Sequence, residues 1–343
     1  MTAPAERTSA EVPAPGEPRR WRSWLAFEER GIAAATLLFF VVGAVSSPYF
    51  LTLDNLTGIL QSLTFLGFLA IGVGLTLMAG EIDISVGSVF GLAAVVTALS
   101  LHRGSSLALA IAEGLGTGLA CGFANGAVAE LIRVPAVVVT LATLGVYRAL
   151  ALVLAGGSPV TGMPPLPGFF DTFGQGTVAD VSVITLLFLG LALVAELVLR
   201  RTAFGFRLLA IGSNPLAAHL VGFHVGRTRL VLLVLSGFMA ALSGVCSVAY
   251  LHTAGPTAGT GYELSVLAAV IIGGVQLTGG RGSVLGILLG LAVIGIIQNL
   301  IVLWGIPPSW TQGVSGMVLI ASMALTWFSR RGETGAPNRS AGS

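Results

Sequence analysis

The chain has 343 residues, of which 55% are hydrophobic and only 9% are charged, with a formal net charge of +2. Soluble domains carry roughly 25% charged residues, so this composition excludes an ordinary water-soluble protein and favours a membrane protein. The small net charge does not indicate nucleic-acid binding, and the absence of lysine excludes a phosphate-binding P-loop or a lysine Schiff base within this chain.

The two ends of the chain differ from its middle. Residues 1–29 are rich in proline, alanine, glutamate and arginine, a composition typical of disorder. Because many apolar runs follow, we predict a retained cytoplasmic tail rather than a cleaved signal sequence. Residues 30–329 are predicted to form one transmembrane domain, and residues 330–343 a second cytoplasmic tail.

The transmembrane domain contains about ten apolar runs near the ~20-residue length that crosses a bilayer as a helix. The predicted spans are 31–47, 56–79, 84–101, 106–131, 134–156, 181–199, 229–251, 263–278, 283–304 and 309–328. No alternation typical of a β-barrel is present, so we predict an all-α polytopic membrane protein. Glycine-rich polar inserts between some runs predict broken or re-entrant segments.

The placement of the arginines supports this order of spans. With the N-terminus inside, most arginines fall in inner connections, while Arg103 lies in an outer loop and Arg148 within a span. This bias follows the positive-inside rule. It places the proline-containing loop 157–180 outside and the largest basic loop, 200–228, inside.

A short polar insert, residues 80–88, separates two apolar runs that carry no charge. Glycines let the backbone leave the helix there, and Asp83 and Ser85 can accept hydrogen bonds from N–H groups that begin the next helix. Alternatively, the broken helix lines a solute pathway, where irregular backbone is tolerated at membrane depth. Because the break lies towards the cytoplasm, the pathway interpretation favours a gate or a joint, with Glu81 included, over direct solute contact.

The loop 200–228 contains a predicted short helix. Ser213 or Asn214 can cap its start, Pro215 suits its first position, and Gly222 can end it. Such a small, alanine-rich helix suits insertion into a cleft on another protein, and the alternative is an interfacial helix on lipid headgroups. The residues predicted to form this segment are Ser213, Asn214, Pro215, Leu216, Ala217, Ala218 and Gly222.

A second glycine-rich break lies within residues 255–299. Glu263 begins an apolar run and is predicted to be a first-turn carboxylate at the outer interface. Gln276 and Arg281 flank the glycines of the break, and Asn299 lies beside another amide within the next span. These amides either bond neighbouring helices or line a path, and the sequence leaves both possibilities open.

Arg148 is a charged residue within a predicted span. It pairs with a carboxylate such as Glu113 or Glu130, extends towards the interface, or faces the solute pathway, and the sequence does not choose between these. The GVSG sequence at 313–316 lacks the later histidine that an intramembrane serine protease needs, and no metal-ligand cluster is present. We therefore predict no catalytic residue and no metal site.

Four motifs follow one another along the chain. Residues 79–88 read AGEIDISVGS, and further motifs lie within 125–148, 210–222 and 259–282. Together they resemble the transmembrane permease subunit of ribose-type ABC sugar importers, a binding-protein-dependent transport family. The signature of that family reads GGIDLSVGS, so Glu81 stands here where the family has its second glycine.

This resemblance implies the ABC importer permease fold and the translocation of a monosaccharide or related small polar solute across the bacterial inner (plasma) membrane. It implies a second permease copy or paralogue, and a periplasmic or lipoprotein binding protein that delivers the solute. A cytoplasmic ATPase would bind ATP and Mg²⁺, and this chain would hold no cofactor. The helix within 213–222 would be the coupling helix that docks into the ATPase.

Two alternatives stay open. The chain could be an ion-coupled secondary carrier, or an ABC permease for a non-sugar solute such as a branched-chain amino acid or a nucleoside. The candidate residues for the pathway or its gate are Glu81, Asp83, Ser85, Arg148, Gln276, Arg281 and Asn299.

Overall fold

A computed structural model describes residues 22–163, 168–307 and 309–321. Nearly all regular structure within these ranges is helical. The helices are α1 (Arg22–Ser46), α2 (Leu53–Met78), α3 (Val86–His102), α4 (Leu107–Ile132), α5 (Ala136–Leu154), α6 (Gly168–Gln175), α7 (Val183–Arg201), α8 (Ala203–Ser213), α9 (Pro215–Leu220), α10 (Val225–Leu251), α11 (Tyr262–Ile272) and α12 (Val284–Leu303). Strands β1 (Thr177–Val178) and β2 (Val181–Ser182) form an antiparallel hairpin, and residues 310–321 are helical.

These helices confirm the predicted all-α membrane fold. Within the described ranges, α2, α4, α5, α7, α10 and α12 are long and apolar enough to cross a membrane. Shorter apolar helices cover 31–46, 86–102, 203–213 and 262–272. Most of the predicted terminal tails and the end of the last predicted span lie outside the described residues.

Two of the named helices that form predicted spans have fewer than 18 residues. The run 263–278 forms only α11, whose 11 residues extend about 16 Å at 1.5 Å per residue, roughly half of a ~30 Å hydrocarbon core. This helix ends because Val275 N–H bonds Val270 O at 3.2 Å around Gly274, a Schellman ending. The second short span is α3, which has 17 residues and begins only at Val86.

Helix α4 packs directly against α10 through glycine. An added Cβ at Gly118 would overlap the carbonyl oxygen of Gly237, and one at Gly122 would overlap that of Leu233. The absence of side chains therefore lets the two backbones touch, which is a common way for membrane helices to associate. Helix α10 also packs against α2 and α3, so it lies at the centre of the bundle.

The predicted outer loop, 157–180, contains α6 and the hairpin and covers one end of α10. Val160 and Ala254 exchange backbone hydrogen bonds of 2.9 and 3.1 Å, and a Cβ at Gly174 would overlap the carbonyl oxygen of Ala249. We call this the α6 end of the bundle, and the opposite end, which carries α9, the α9 end.

Replacing Gly122 by alanine is expected to lower the unfolding temperature in detergent, because the new Cβ would overlap α10. Overpacking of this kind costs roughly 1–3 kcal/mol. Gly116, on the same helix, is the matched control because nothing lies within 4 Å of an added Cβ there, and alanine favours a helix by about 1 kcal/mol. Equal unfolding temperatures for the two variants would contradict the close packing of α4 on α10.

Candidate functional site at the junction of two helix breaks

Two non-helical segments interrupt the bundle. We call residues 79–85, between α2 and α3, the first break, and residues 273–283, between α11 and α12, the second break. Helix α2 ends at the first break with the same geometry as the end of α11. The N–H of Glu81 bonds Thr76 O at 3.0 Å, and Gly80 has a φ of +82°. Glycine adopts this left-handed Schellman ending without a Cβ clash.

The two breaks contact each other at the α9 end through main-chain atoms. Gly280 N–H donates to Met78 O at 2.8 Å, and a Cβ at Gly279 would lie 2.8 Å from the nitrogen of Gly80. The last turn of α8 fills the same place, because a Cβ at Gly212 would overlap Met78 O. We call Gly80, Gly212, Gly279 and Gly280 the glycine junction.

Asp83, in the first break, is buried and hydrogen-bonded through both carboxylate oxygens. It is 2% exposed. Oδ1 accepts hydrogen bonds from the N–H (2.9 Å) and Oγ (2.7 Å) of Ser85, and Oδ2 accepts one from Ser236 Oγ on α10 at 2.8 Å. Asp83 thus satisfies an N–H group at the start of α3, as its capping interpretation requires, while its place in a pathway or gate stays a prediction.

The Asp83 contacts continue into α4 and α5. Asn125 Nδ2 donates to Ser85 Oγ at 2.9 Å, and Asn125 Oδ1 accepts from Thr143 Oγ1 at 2.8 Å and Tyr147 Oη at 3.0 Å. Buried polar groups are costly unless they are paired. This network therefore fixes the first break against three helices, α4, α5 and α10.

Glu81 gives the first break a second contact with α10 and another with α5. Its Oε1 lies 3.0 Å from Nη1 of Arg229 on α10, and its Oε2 accepts a 2.9 Å hydrogen bond from the N–H of Ala136, the first residue of α5. Glu81 is only 9% exposed. An ion pair and a helix start together stabilise a carboxylate that is this strongly buried.

The predicted short helix is present as α9. Asn214, not Ser213, caps it, because Asn214 Oδ1 accepts from Ala217 N–H at 3.0 Å, and Pro215 holds its first position. Ser213 Oγ instead donates to Leu209 O within α8, and Gly222 follows α9. Large apolar side chains of this segment are exposed: Leu216 by 70%, Leu220 by 78% and Val221 by 72%.

One residue of α9 differs from the expected alanine surface. Ala217 is exposed, but Ala218 is only 4% exposed. A short helix that lies on the bundle must turn one side inward, and Ala218 is on that side. Ala218 therefore anchors α9 on the bundle, and the surface available to a partner consists mainly of leucine and valine.

Arg148, on α5, is held by the loop before α11. Its Nη1 donates to Pro256 O at 3.0 Å and to Ala258 O at 2.7 Å. Within the described ranges it forms no ion pair with Glu113 or Glu130, because its face of α5 is turned towards that loop. The predicted pairing with Glu113 or Glu130 is thus wrong, and the carboxylate whose charge acts on Arg148 is that of Glu263 at the start of α11.

The starts of α3 and α11 meet inside the bundle. A Cβ at Gly87 would overlap Gly259 O and would lie 2.5 Å from Oε2 of Glu263, and the rings of Phe90 and Tyr262 are 5.4 Å apart. The prediction that Glu263 lies at the outer interface is therefore wrong. The loop before α11 turns back into the bundle, and this carries the first turn of α11 inward.

The amides of α12 bond neighbouring helices. Asn299 and Asn55 of α2 exchange side-chain hydrogen bonds of 2.7 and 3.2 Å. Gln298 Nε2 donates to the hydroxyls of Ser265 and Ser315, each at 3.3 Å. Such contacts hold membrane helices together. Of the two alternatives for Asn299, the structure therefore supports a bond to a neighbouring helix.

The structure brings five of the seven pathway candidates together in the two contacting breaks. In the second break, Gln276 N–H bonds Arg281 O at 3.3 Å and closes the loop next to the glycine junction. The five are Glu81, Asp83, Ser85, Gln276 and Arg281. Of the other two, Arg148 of α5 contacts the loop before α11, and Asn299 of α12 contacts α2.

Several partners of these residues were missed by sequence reasoning. Arg229 is one of several arginines near the basic loop, and Ser236 and Thr143 are single hydroxyl residues in apolar runs, which occur in most membrane helices. Asn125 begins the second motif, which does not indicate what its side chain contacts. Charge complementarity with Glu81 was the one signal available, and it does not say which of several arginines is the partner.

Comparisons with known proteins show which family this chain resembles. A protein-family model described as branched-chain amino acid transport system, permease component, matches residues 55–323. The autoinducer 2 import system permease protein LsrC of Yersinia enterocolitica is 34% identical over 298 residues, covering 87% of this chain and 82% of that protein. LsrC of Salmonella typhi is 35% identical, covering 87% and 85%. The ribose import permease protein RbsC of Escherichia coli K12 is 33% identical over 305 residues, covering 89% and 94%.

Replacing Asp83 by alanine is expected to lower the unfolding temperature strongly, because it removes the acceptor for Ser85 and Ser236. A buried polar group without its partner costs about 1–3 kcal/mol. The matched control is Asp54→Ala, since Asp54 is an exposed carboxylate in the first turn of α2 and contributes only about 0.3–1 kcal/mol there. If both variants unfold at the wild-type temperature, the capping role of Asp83 is refuted.

Proposed function

We propose that this chain, which belongs to the permease family of branched-chain amino acid transport systems, is the membrane subunit of an ATP-driven importer for a monosaccharide or related small polar solute. The relatives LsrC and RbsC are named as import permeases for autoinducer 2 and ribose. Both align over most of this chain, and ribose is a monosaccharide. This favours a sugar-like solute over the amino acids in the family description.

The observation that carries this proposal is the exposed apolar surface of α9. Leu216 and Leu220 are exposed on the six-residue helix α9, and Val221 is exposed directly after it. The preceding helix, α8, contacts the glycine junction through Gly212. An apolar patch rimmed by polar residues marks a contact surface, and a helix of this kind fits a groove on a partner. We assign it to a cytoplasmic ATPase, which would bind ATP and Mg²⁺ in place of this chain.

The arginines support a cytoplasmic α9 end. Arg133 ends α4, Arg207 lies in α8 and Arg229 lies in α10, all at the α9 end, whereas Arg103 ends α3 at the α6 end. The positive-inside rule then puts α9 and both chain termini in the cytoplasm of a bacterial cell. The α6 end would face a periplasmic or lipoprotein binding protein across the inner membrane.

The solute pathway is proposed to run beside Arg148. The starts of α3 and α11 meet there, and helix starts offer N–H groups and a positive dipole to polar solutes. Tyr147 and Ala151 of α5 are buried, while Val146 and Leu150 on its other face are 54% and 46% exposed. A second permease copy or a paralogue would cover this face and complete the pathway, with the two breaks as its gate.

The contacts argue against an ion-coupled carrier. Glu81 is paired with Arg229, both oxygens of Asp83 accept hydrogen bonds, and Arg148 donates to two carbonyls. A carrier of that kind needs an intramembrane carboxylate that releases and rebinds an ion during transport. These groups have fixed internal partners instead.

Replacing both Leu216 and Leu220 by arginine is expected to abolish co-purification of the cognate ATPase, because two desolvated charges would enter an apolar contact. The bundle should stay folded, since both side chains are exposed. Leu51→Arg is the matched control, as Leu51 is 53% exposed at the α6 end. Retention of the ATPase by the double variant would assign α9 to lipid headgroups and overturn its docking role.

Uptake into proteoliposomes should require the ATPase, ATP and the binding protein, while the chain alone under a proton or sodium gradient should give none. The solutes to compare are ribose, other monosaccharides, branched-chain amino acids and nucleosides, first screened for binding to the cognate binding protein by thermal shift. Gradient-driven uptake by the chain alone would refute the importer proposal. Uptake of leucine but no sugar would refute its solute class.

A further inference from the structure

The segment that carries α9 is attached to the first break at both of its ends. We call residues 213–224, between α8 and α10, the coupling segment. Immediately before it, Gly212 packs on Met78 O and on the nitrogen of Gly280 in the second break. Shortly after it, Arg229 contacts Glu81 at 3.0 Å. Both attachments therefore reach the stretch from Met78 to Glu81.

The two attachments differ in kind. The first attachment, in front of the coupling segment, is a main-chain contact at the glycine junction. Because no side chain lies between the two backbones, a displacement of α8 displaces the first break directly. The rear one is an ion pair between Glu81, which is 9% exposed, and Arg229, whose side chain is 31% exposed. Within the described residues, no other ion pair joins α10 to the first break.

The orientation of the Glu81 carboxylate is fixed by its second oxygen. Oε2 accepts the N–H of Ala136 at the start of α5, so Oε1 stays turned towards Arg229. Ser236 of α10 also donates a hydrogen bond to Asp83 in the first break, but the Glu81–Arg229 ion pair lies about two helical turns nearer to the coupling segment.

We propose that Glu81 is a positioning residue that makes the first break move together with the coupling segment, through its ion pair with Arg229. This inference rests on the proposed function, because it takes α9 as the ATPase contact. Movement of α9 reaches the breaks at the front through Gly212 and at the rear through Glu81. Without the ion pair, the Ser236–Asp83 hydrogen bond is the remaining polar side-chain contact that the described residues show between α10 and the first break, and it lies further from α9.

The test uses the complete complex of permease, ATPase and binding protein in proteoliposomes, and measures solute uptake per ATP hydrolysed. Glu81→Gln keeps an acceptor for Ala136 but loses the charge, and Arg229→Gln removes the other partner. Each should lower uptake per ATP by about fivefold or more, as expected for a coupling contact, with ATPase binding unchanged. The double variant should fall no further, because the two residues act as one unit.

Conservative and matched variants separate positioning from stability. Arg229→Lys should recover most of the uptake per ATP, and Arg227→Gln, an exposed arginine in the same turn region of α10, should leave it unchanged. If the complex with Glu81→Gln takes up as much solute per ATP hydrolysed as the wild type, the inference is overturned. So does a variant whose unfolding temperature falls while its uptake per ATP does not.

A covalent link provides a second readout. In a background with Cys121→Ala and Cys246→Ala, the pair Glu81→Cys and Arg229→Cys should lower uptake per ATP, and a short bifunctional thiol reagent should restore it. Loss of uptake on cross-linking would show that the first break must separate from α10, which overturns the inference. Co-purification of the ATPase with the Leu216→Arg, Leu220→Arg double variant decides separately whether α9 is the ATPase contact.

Discussion

Carboxylates at the starts of helices hold this bundle together. A helix that begins inside a membrane protein leaves several N–H groups without an intrahelical partner, and no water is available in lipid to satisfy them. In the part of the chain that the structure describes, four carboxylates accept an N–H group at such a start: Asp83 for α3, Glu81 for α5, Glu263 for α11 and Glu196 for α12. The helix start in turn stabilises the carboxylate, which accounts for these four acidic residues in so apolar a chain.

This arrangement permits the helices to be broken where transport needs flexibility. The first and second breaks remain ordered because Asp83 and the backbone of the glycine junction satisfy their polar groups. The same contacts place both breaks against α8, directly below α9. A partner that moves α9 thus acts on the helix ends that border the proposed pathway, and the chain needs no chemistry of its own to transmit the motion.

Much of the fold followed from the sequence because apolar length and glycine spacing are local signals. They predicted an all-α membrane fold, the first residue of α9 and both breaks, and they offered Asn214 as one of two caps for α9. About ten spans were expected, whereas the described residues form twelve named helices, six of which are long enough to cross a membrane. They could not predict that α11 is a half-helix, since Gly273 and Gly274 resemble the many glycines inside spans, or that Ala218 faces the bundle. The partner of Glu81 depends on tertiary packing of α10, which no local pattern records.

The central claim is that α9 and the breaks move as one body. In the assembled complex, spin labels placed by His219→Cys on α9 and Thr278→Cys in the second break report their separation, and Arg103→Cys provides a reference at the α6 end. Pulsed electron paramagnetic resonance should give the same distance between labels 219 and 278 with and without ATP. The distance between labels 219 and 103 should change. A 219–278 distance that changes on ATP binding would contradict the account.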